Sequence, residues 1–172
     1  MPEVNKKWSI VSSHDSVLLN RGLEDVFQFI AMDFFNNYQL ISPQVCELEK
    51  ITPGDIRVGV IARQVRIDEG YRSEALFRVS ELVPMRKLRF TSLSKPDFEV
   101  CYLFEQVGPG TRVTFKFDTV LAVYMLPFRG HIEKIIKRGG KQVVANLRVL
   151  LETGNTVITT SAPGAANGPV SS

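Results

Sequence analysis

Residues 126–152 read LPFRGHIEKIIKRGGKQVVANLRVLLE, and this stretch decides the fold because it predicts one long, two-sided helix. At 100° per residue, apolar side chains fall on one narrow face and basic side chains fall on the opposite face. The apolar face carries Ile132, Ile136, Val143, Leu147 and Leu150, and the basic face carries Lys134, Lys137, Lys141 and Arg148. We expect the apolar face to pack on other elements while the basic face stays in water.

Two adjacent glycines, Gly139 and Gly140, lie near the middle of this helix. A glycine in a helix interior costs about 1 kcal/mol relative to alanine, so the pair indicates a place where a side chain would occupy needed space. The helical wheel places Gly139 in the middle of the apolar face and Gly140 beside it. Because strands precede this helix, we expect it to lie across a sheet, with Gly139 bordering a cavity.

The chain before this helix alternates strand patterns with turn signals. Residues 8–19 predict a first strand, and residues 20–42 predict two short helices that begin at an Asn20 N-cap and break at Asn36–Asn37. Residues 45–124 predict six more strands, because apolar side chains alternate with polar ones between recurring turns. The sequence therefore predicts an α+β fold in which the C-terminal helix covers a curved, seven-stranded antiparallel sheet.

The composition is that of an ordinary globular protein, with 172 residues, 44% hydrophobic and 23% charged residues, and a formal net charge of +3. No apolar run approaches the roughly 20 residues of a membrane helix, and the first seven residues lack the apolar run of a secretory signal. The two cysteines and two histidines show no metal-ligand spacing. We expect a cytoplasmic protein without metal or cofactor, with one domain at residues 1–153 and a disordered tail at residues 154–172.

Three local motifs occur in the order that a known fold requires. They are VFQFIA at Val26–Ala31, VPMRKL at Val83–Leu88 and FEQVGPGTRVT at Phe104–Thr114. Together with the order of elements over residues 8–152, they resemble the START-like, or SRPBCC, superfamily with its Bet v 1-like helix-grip fold. The most similar branch is the polyketide cyclase/dehydrase and lipid-transport group.

The resemblance implies a cavity between the sheet and the C-terminal helix that encloses a hydrophobic ligand. Strand alternation and the helical wheel select the residues expected to line it, which are Phe77, Val79, Phe90, Tyr102, Phe104, Phe115, Phe117, Ile136, Gly139 and Val143. Many members of the superfamily carry a tryptophan shortly before the proline that follows the short helices. Here Leu40 or Ile41 takes that place before Pro43, which predicts a more aliphatic cavity mouth.

Tyr102, Asp15 and Arg66 are the candidate catalytic residues. Tyr102 either orients a ligand oxygen or donates a proton, or it is a core tyrosine bonded to a carbonyl or water. Asp15 is either a buried general base or a strand-end carboxylate. Arg66 either binds an acidic head group or is solvated, because apolar residues on both faces of its strand leave its register, and that of Gln64, open.

These observations favour binding of a hydrophobic small molecule, such as a lipid, a polyketide or a similar metabolite. A polyketide cyclase or dehydratase is the alternative, so the sequence leaves open whether the protein is an enzyme. A protein-interaction module that uses the basic helix face or the tail is a second alternative, with its protein partner unknown. No aromatic residues interleave with the basic residues, which argues against nucleic acid. The basic face allows peripheral contact with anionic lipids but no stable membrane insertion.

Overall fold

The computed structural model describes residues 9–152, and these residues form the predicted helix-grip architecture. The strands are β1 (Ile10–Leu19), β2 (Val45–Lys50), β3 (Ile61–Asp68), β4 (Tyr71–Val83), β5 (Lys87–Ser92), β6 (Phe98–Val107) and β7 (Gly110–Val120). They form one antiparallel sheet in the order β1-β7-β6-β5-β4-β3-β2. Trp8, at the start of the predicted first strand, and the predicted tail at residues 154–172 lie outside the described residues.

Two short helices follow β1, as predicted, although both boundaries differ from the prediction. Helix α1 (Leu23–Phe27) begins after Gly22 rather than after Asn20, and a π-helical turn continues it through Gln28–Met32. Helix α2 (Phe34–Ile41) begins after Asp33, so the predicted break at Asn36–Asn37 is wrong. The Asn37 side chain donates to the Phe29 carbonyl at 2.9 Å, and this bond joins α2 to the preceding turn.

The strand register places one set of side chains on the face covered by the helices. Asp15 pairs with Phe115, which pairs with Tyr102, so these three residues form one inward-facing row across β1, β7 and β6. On β3, Gln64 pairs with Ala75 and Arg66 pairs with Ser73. Because the same face of β4 carries the fully buried Phe77, this register places both Gln64 and Arg66 on the inner face and settles the orientation that the sequence left open.

The long helix α3 (Arg129–Glu152) packs on β1 and β7. It begins three residues later than predicted, because Val123–Phe128 forms a 3-10 helix that contains Pro127, which has no N–H to donate. The buried residues of α3 are Gly140, Val143, Leu147 and Leu151. The buried face is therefore rotated relative to the predicted face, and Leu151 rather than Leu150 is the buried leucine at its end.

The two adjacent glycines of α3, Gly139 and Gly140, have opposite surroundings. A Cβ atom added to Gly140 would overlap the Ser13 hydroxyl and the Asp15 carboxylate and would lie 3.2 Å from the Ser13 Cβ atom. A Cβ atom added to Gly139 would meet no atom within 4 Å. Gly140, not Gly139, therefore lies in the middle of the buried face, and it allows α3 to approach β1 closely.

Substituting each glycine by alanine should separate these two roles. Gly139→Ala should stabilise the protein by about 0.5–1 kcal/mol, because it removes the helix cost of glycine without a clash. Gly140→Ala should destabilise it by about 1–3 kcal/mol, because α3 and β1 must move apart. Urea unfolding followed by circular dichroism measures both free energies of unfolding. Equal stability of the two variants would contradict the close approach of α3 to β1.

Candidate functional site

A cavity of about 220 Å³ lies between α3 and the inner face of the sheet. Its apolar wall includes Phe98, Val100, Phe115 and Phe117 from β6 and β7, and Ile135, Ile136 and Val143 from α3. An apolar cavity of about 150 Å³ already holds a molecule the size of benzene, so this cavity has room for a small apolar molecule or part of a larger one.

Six of the residues that the sequence predicted for the lining do border this cavity: Tyr102, Phe115, Phe117, Ile136, Gly139 and Val143. The other four, Phe77, Val79, Phe90 and Phe104, are buried in the core and are not among the lining residues. The two short helices explain the difference. The Phe34 ring of α2 lies 5.2 Å from the Phe90 ring, and the Phe27 ring of α1 lies 5.1 Å from the Phe104 ring.

One end of the cavity is polar, and its side chains come from three separate elements. Tyr38 is on α2, Gln64, Arg66 and Asp68 are on β3, and Tyr102 is on β6. The Tyr38 hydroxyl donates to Gln64 Oε1 at 3.0 Å. The Arg66 guanidinium donates to the Asp68 carboxylate through two hydrogen bonds of 3.1 and 3.2 Å. This bidentate pair fixes the plane of the guanidinium beside the cavity.

The Tyr102 hydroxyl differs from the other groups because it has no hydrogen-bond partner among the residues that the structure describes. Its side chain is 1% exposed. Burial raises the pKa of this phenol well above its ordinary range, Tyr38 raises it further, and the positive charge of Arg66 opposes the rise. Tyr102 therefore stays protonated at neutral pH, with a hydroxyl available to donate into the cavity.

Tyr38 and Arg66 influence each other at the same end of the cavity. Burial raises the pKa of the Tyr38 phenol, while the charge of Arg66 and a hydrogen bond with it partly offset the rise. Burial acts to lower the pKa of the Arg66 guanidinium, but Tyr38 and Asp68 outweigh this effect and hold the pKa above its ordinary value. Two neutral phenols and one cation thus lie at one end of the cavity. The Tyr38 proton is already donated to Gln64, so the Tyr102 hydroxyl is the phenol that suits an added oxygen atom that accepts a hydrogen bond.

Tyr38 is the residue of this group that the sequence analysis missed. The sequence predicted an aliphatic cavity mouth from Leu40 and Ile41. In the structure the Leu40 side chain is 44% exposed, whereas Tyr38 is 4% exposed. The Tyr38 ring stacks on the Phe34 ring with 4.6 Å between centroids and borders the cavity, whereas Leu40 and Ile41 are not among the lining residues. The aliphatic character of the mouth stays a prediction. The helical spacing of Phe34, Tyr38 and Ile41 would have placed Tyr38 on the buried face of α2.

The remaining polar candidates have other partners or lie elsewhere. Asp15 faces inward but is not among the cavity-lining residues, because it lies under Gly140, where the Ser13 hydroxyl donates to it at 2.8 Å. The Thr119 hydroxyl borders the cavity and donates to the Asp97 carbonyl at 2.9 Å. Within residues 9–152, no group of three or more His, Cys, Asp or Glu side chains could hold a metal ion.

Comparison with known proteins gives likenesses of fold. No family model matches the chain, and no curated protein matches it. Among solved structures, the Zhui aromatase/cyclase from Streptomyces sp. R1128 aligns with a TM-score of 0.69 and 15% identity over 83% of this chain and 94% of its own. A START superfamily protein from Mycobacterium smegmatis aligns with a TM-score of 0.68 and 12% identity over 83% and 98%.

Two further solved structures show the same likeness. The di-domain aromatase/cyclase StfQ from the steffimycin biosynthetic pathway aligns with a TM-score of 0.70 and 10% identity over 86% of this chain and 52% of its own. Ara h 8.0201 aligns with a TM-score of 0.63 and 11% identity over 84% and 99%. At these identities the likeness concerns the backbone and not the side chains of the cavity. The chain therefore has the START-like, SRPBCC-type helix-grip fold, as its sequence motifs predicted.

Proposed function

We propose that this protein binds a hydrophobic small molecule, such as a lipid, a polyketide or a similar metabolite, between α3 and the sheet. The observation that carries the proposal is the Tyr102 hydroxyl, which has no hydrogen-bond partner within residues 9–152 and lies where the apolar wall meets the polar end of the cavity. A buried hydroxyl without a partner costs about 1–3 kcal/mol, and a ligand oxygen that accepts its proton would remove this cost. The ligand therefore has an apolar body and at least one carbonyl, carboxylate or phenolic oxygen.

The apolar wall and the polar end of the cavity contribute differently to the free energy of binding. Burying about 300 Å² of apolar ligand surface contributes roughly 7 kcal/mol at about 25 cal/mol/Å². Association costs at least about 4 kcal/mol, so the apolar wall alone supports only weak binding. Hydrogen bonds at the polar end, each worth about 0.5–1.5 kcal/mol, or about 1.5–3 kcal/mol where Arg66 takes part, then supply both added affinity and orientation.

A cyclase or dehydratase acting on a polyketide-like substrate is the second candidate, because Tyr38, Tyr102 and Arg66 meet at one end of the cavity. In an aldol cyclisation, an α-carbon loses a proton to water and forms a bond to a ketone carbon of the same molecule. The ketone oxygen takes a proton from a phenol, and the resulting phenolate then takes a proton from the solvent. Loss of one water then completes a dehydration. Arg66 would stabilise the negative charge that develops on the oxygen.

Replacing the unpartnered phenol should weaken the binding of an oxygen-bearing ligand while leaving the fold intact. Tyr102→Phe should lower the affinity for an aromatic ketone or a fatty acid by about 3- to 10-fold, which corresponds to one lost hydrogen bond. The free energy of unfolding without ligand should stay the same or rise, because the buried unsatisfied hydroxyl is gone. Isothermal titration calorimetry and urea unfolding measure these two quantities.

The matched control is Tyr124→Phe, which removes a hydroxyl from a tyrosine that is 79% exposed and does not line the cavity. This variant should bind as the unchanged protein does. A hydrocarbon of the same shape but without oxygen should not distinguish Tyr102→Phe from the unchanged protein. A loss of affinity for this hydrocarbon equal to that for the ketone would contradict the role of Tyr102 as donor.

The Tyr102 hydroxyl should also remain a donor under mildly alkaline conditions. Because burial holds the pKa of this phenol well above its ordinary range, ligand affinity should not fall between about pH 7 and pH 9 through ionisation of Tyr102. The same titration with a ligand that does not itself ionise in this range checks the prediction. A loss of affinity that is present in the unchanged protein and absent in Tyr102→Phe would place the pKa of Tyr102 within the range and overturn it.

Filling the space beside Gly139 should block ligand uptake. Gly139→Leu places a side chain where no atom lies within 4 Å of the Cβ position, so the fold should survive while affinity falls by 10-fold or more. Native mass spectrometry of the gently purified protein shows whether a bound molecule is lost. Gly139→Ala, which adds only a methyl group, is the control that should keep most of the binding. Unchanged uptake by Gly139→Leu would place the ligand elsewhere.

The cyclase candidate makes a separate prediction about turnover. With a poly-β-ketone analogue, Tyr102→Phe should lower the rate of cyclisation by roughly 10²-fold or more if this phenol donates the proton. Asp15→Asn should leave the rate unchanged, because this residue does not line the cavity. Liquid chromatography with mass spectrometry follows loss of the analogue. Recovery of the analogue unmodified and still bound would count for a carrier and against an enzyme.

A further inference from the structure

The 3-10 helix between β7 and α3 exposes a set of apolar side chains. We define the apolar tip as Val123, Tyr124 and Phe128, which are 69%, 79% and 64% exposed. None of the six residues of this 3-10 helix is buried. Large apolar side chains exposed to this degree within six residues of sequence indicate a site of contact with another protein or with a membrane.

The apolar tip lies at the end of the sheet that supplies some of the residues lining the cavity. The Leu121 amide donates to the Ser9 carbonyl at 2.7 Å, and the Val120 amide donates to the Asp97 carbonyl at 2.9 Å. These bonds hold the start of β1 and the β5–β6 loop beside the tip, and Pro96 of that loop lines the cavity. Ile135 and Ile136, two turns into α3, line the cavity as well. The tip is thus a neighbour of the cavity and not part of its wall.

The apolar tip is followed along α3 by exposed basic side chains. Lys134 and Lys141 are exposed on α3, and within residues 9–152 they take part in no ion pair. Three acids of this region are in ion pairs: Glu133 with Lys137, Glu69 with Arg138 and Asp97 with Lys95. Asp118 accepts a hydrogen bond from the neutral Ser12 hydroxyl and keeps its negative charge. Lys134 follows Phe128 by six residues, which is about 9 Å along a helix axis. With the axis of α3 along the membrane normal, a cation at this distance from an inserted tip would lie at the level of the lipid head groups.

We propose that the apolar tip docks this protein on the surface of a membrane that contains anionic phospholipids. The tip inserts Val123, Tyr124 and Phe128 among the head groups and upper acyl chains, and Lys134 contacts the anionic head groups. Aromatic side chains favour this interface, and each basic residue near it adds about 1 kcal/mol. No helix of residues 9–152 is long and apolar enough to cross a membrane, so this contact is peripheral. A membrane is favoured over an acidic protein, because the charge at the tip is sparse and the exposed surface is apolar.

Vesicle co-sedimentation of the full chain tests the proposal. Vesicles of phosphatidylcholine alone are compared with vesicles that contain phosphatidylserine as well. The unchanged protein should bind the anionic vesicles more tightly, and salt should weaken this binding. The variant Tyr124→Ser/Phe128→Ser should lower the partition coefficient by about tenfold or more, because two apolar side chains no longer insert. Lys134→Glu should lower it by roughly tenfold for the anionic vesicles alone.

Matched controls lie at the other end of the sheet. Leu18→Ser/Val58→Ser removes two apolar side chains that are 48% and 58% exposed, and it should leave vesicle binding unchanged. Arg86→Glu reverses an exposed charge in the β4–β5 turn and serves as the control for Lys134→Glu. Insertion is read directly from Phe128→Trp in a Trp8→Phe background, whose fluorescence should be quenched by lipids brominated on the acyl chain.

Three results would each overturn the proposal. The unchanged protein could remain in the supernatant with both kinds of vesicle, or the control variants could lose as much binding as the tip variants. Analytical ultracentrifugation could instead show a dimer that Tyr124→Ser/Phe128→Ser dissociates, which would assign the tip to a second copy of the chain. Ligand titration in the absence of vesicles keeps this test apart from the proposed function. Tip variants should bind the ligand normally, and Tyr102→Phe should bind vesicles normally.

Discussion

The close approach of α3 to β1 at Gly140 is the constraint on which the rest of the structure depends. A side chain at this position would overlap the Ser13 hydroxyl and the Asp15 carboxylate, so only glycine lets the helix lie this near to the strand. The contact fixes the rotation of α3 about its axis, because Val143 and Leu147 must then face the sheet as well. The same rotation turns Gly139 towards the cavity, where its missing side chain leaves space. Gly140 therefore allows the close contact between α3 and β1, and the missing side chain of Gly139 leaves space in the cavity.

The inner face of the sheet is divided between a packed core and a cavity, and the short helices decide where the division falls. Phe27 of α1 and Phe34 of α2 place their rings against Phe104 and Phe90, so this part of the sheet is filled by protein side chains. Beyond α2, the described element that covers the sheet is α3, and Phe115 and Phe117 border the cavity there. Their ring contacts are with Tyr102 and Phe98 of the neighbouring strand and not with a helix. Interiors of proteins are packed as densely as organic crystals, so a volume of about 220 Å³ without side chains is a clear departure from that density.

The polar end of the cavity is held ready by its own internal bonds. Asp68 holds the Arg66 guanidinium, Gln64 accepts from Tyr38, and Tyr102 alone keeps its hydroxyl uncommitted. Burial keeps both phenols neutral, while the nearby cation favours a ligand atom that carries partial or full negative charge. Such a preorganised group can orient a bound molecule without side-chain rearrangement. The same arrangement would suit a carrier that recognises an oxygen atom or an enzyme that protonates one.

The sequence by itself determined the architecture, because periodic hydrophobicity reports which faces of each element are buried. Alternation along the strands and the wheel of residues 129–152 predict the antiparallel sheet and its covering helix without knowledge of any long-range contact. The residues that form the polar end of the cavity could be grouped only from the tertiary structure. Tyr38, Arg66 and Tyr102 meet only through the packing of α2 on the sheet and the register of β3, and no local pattern encodes either. The choice between Gly139 and Gly140 also depended on the rotation of α3 against β1, since two neighbours in a helix differ by only 100° and a wheel cannot show which one meets a strand.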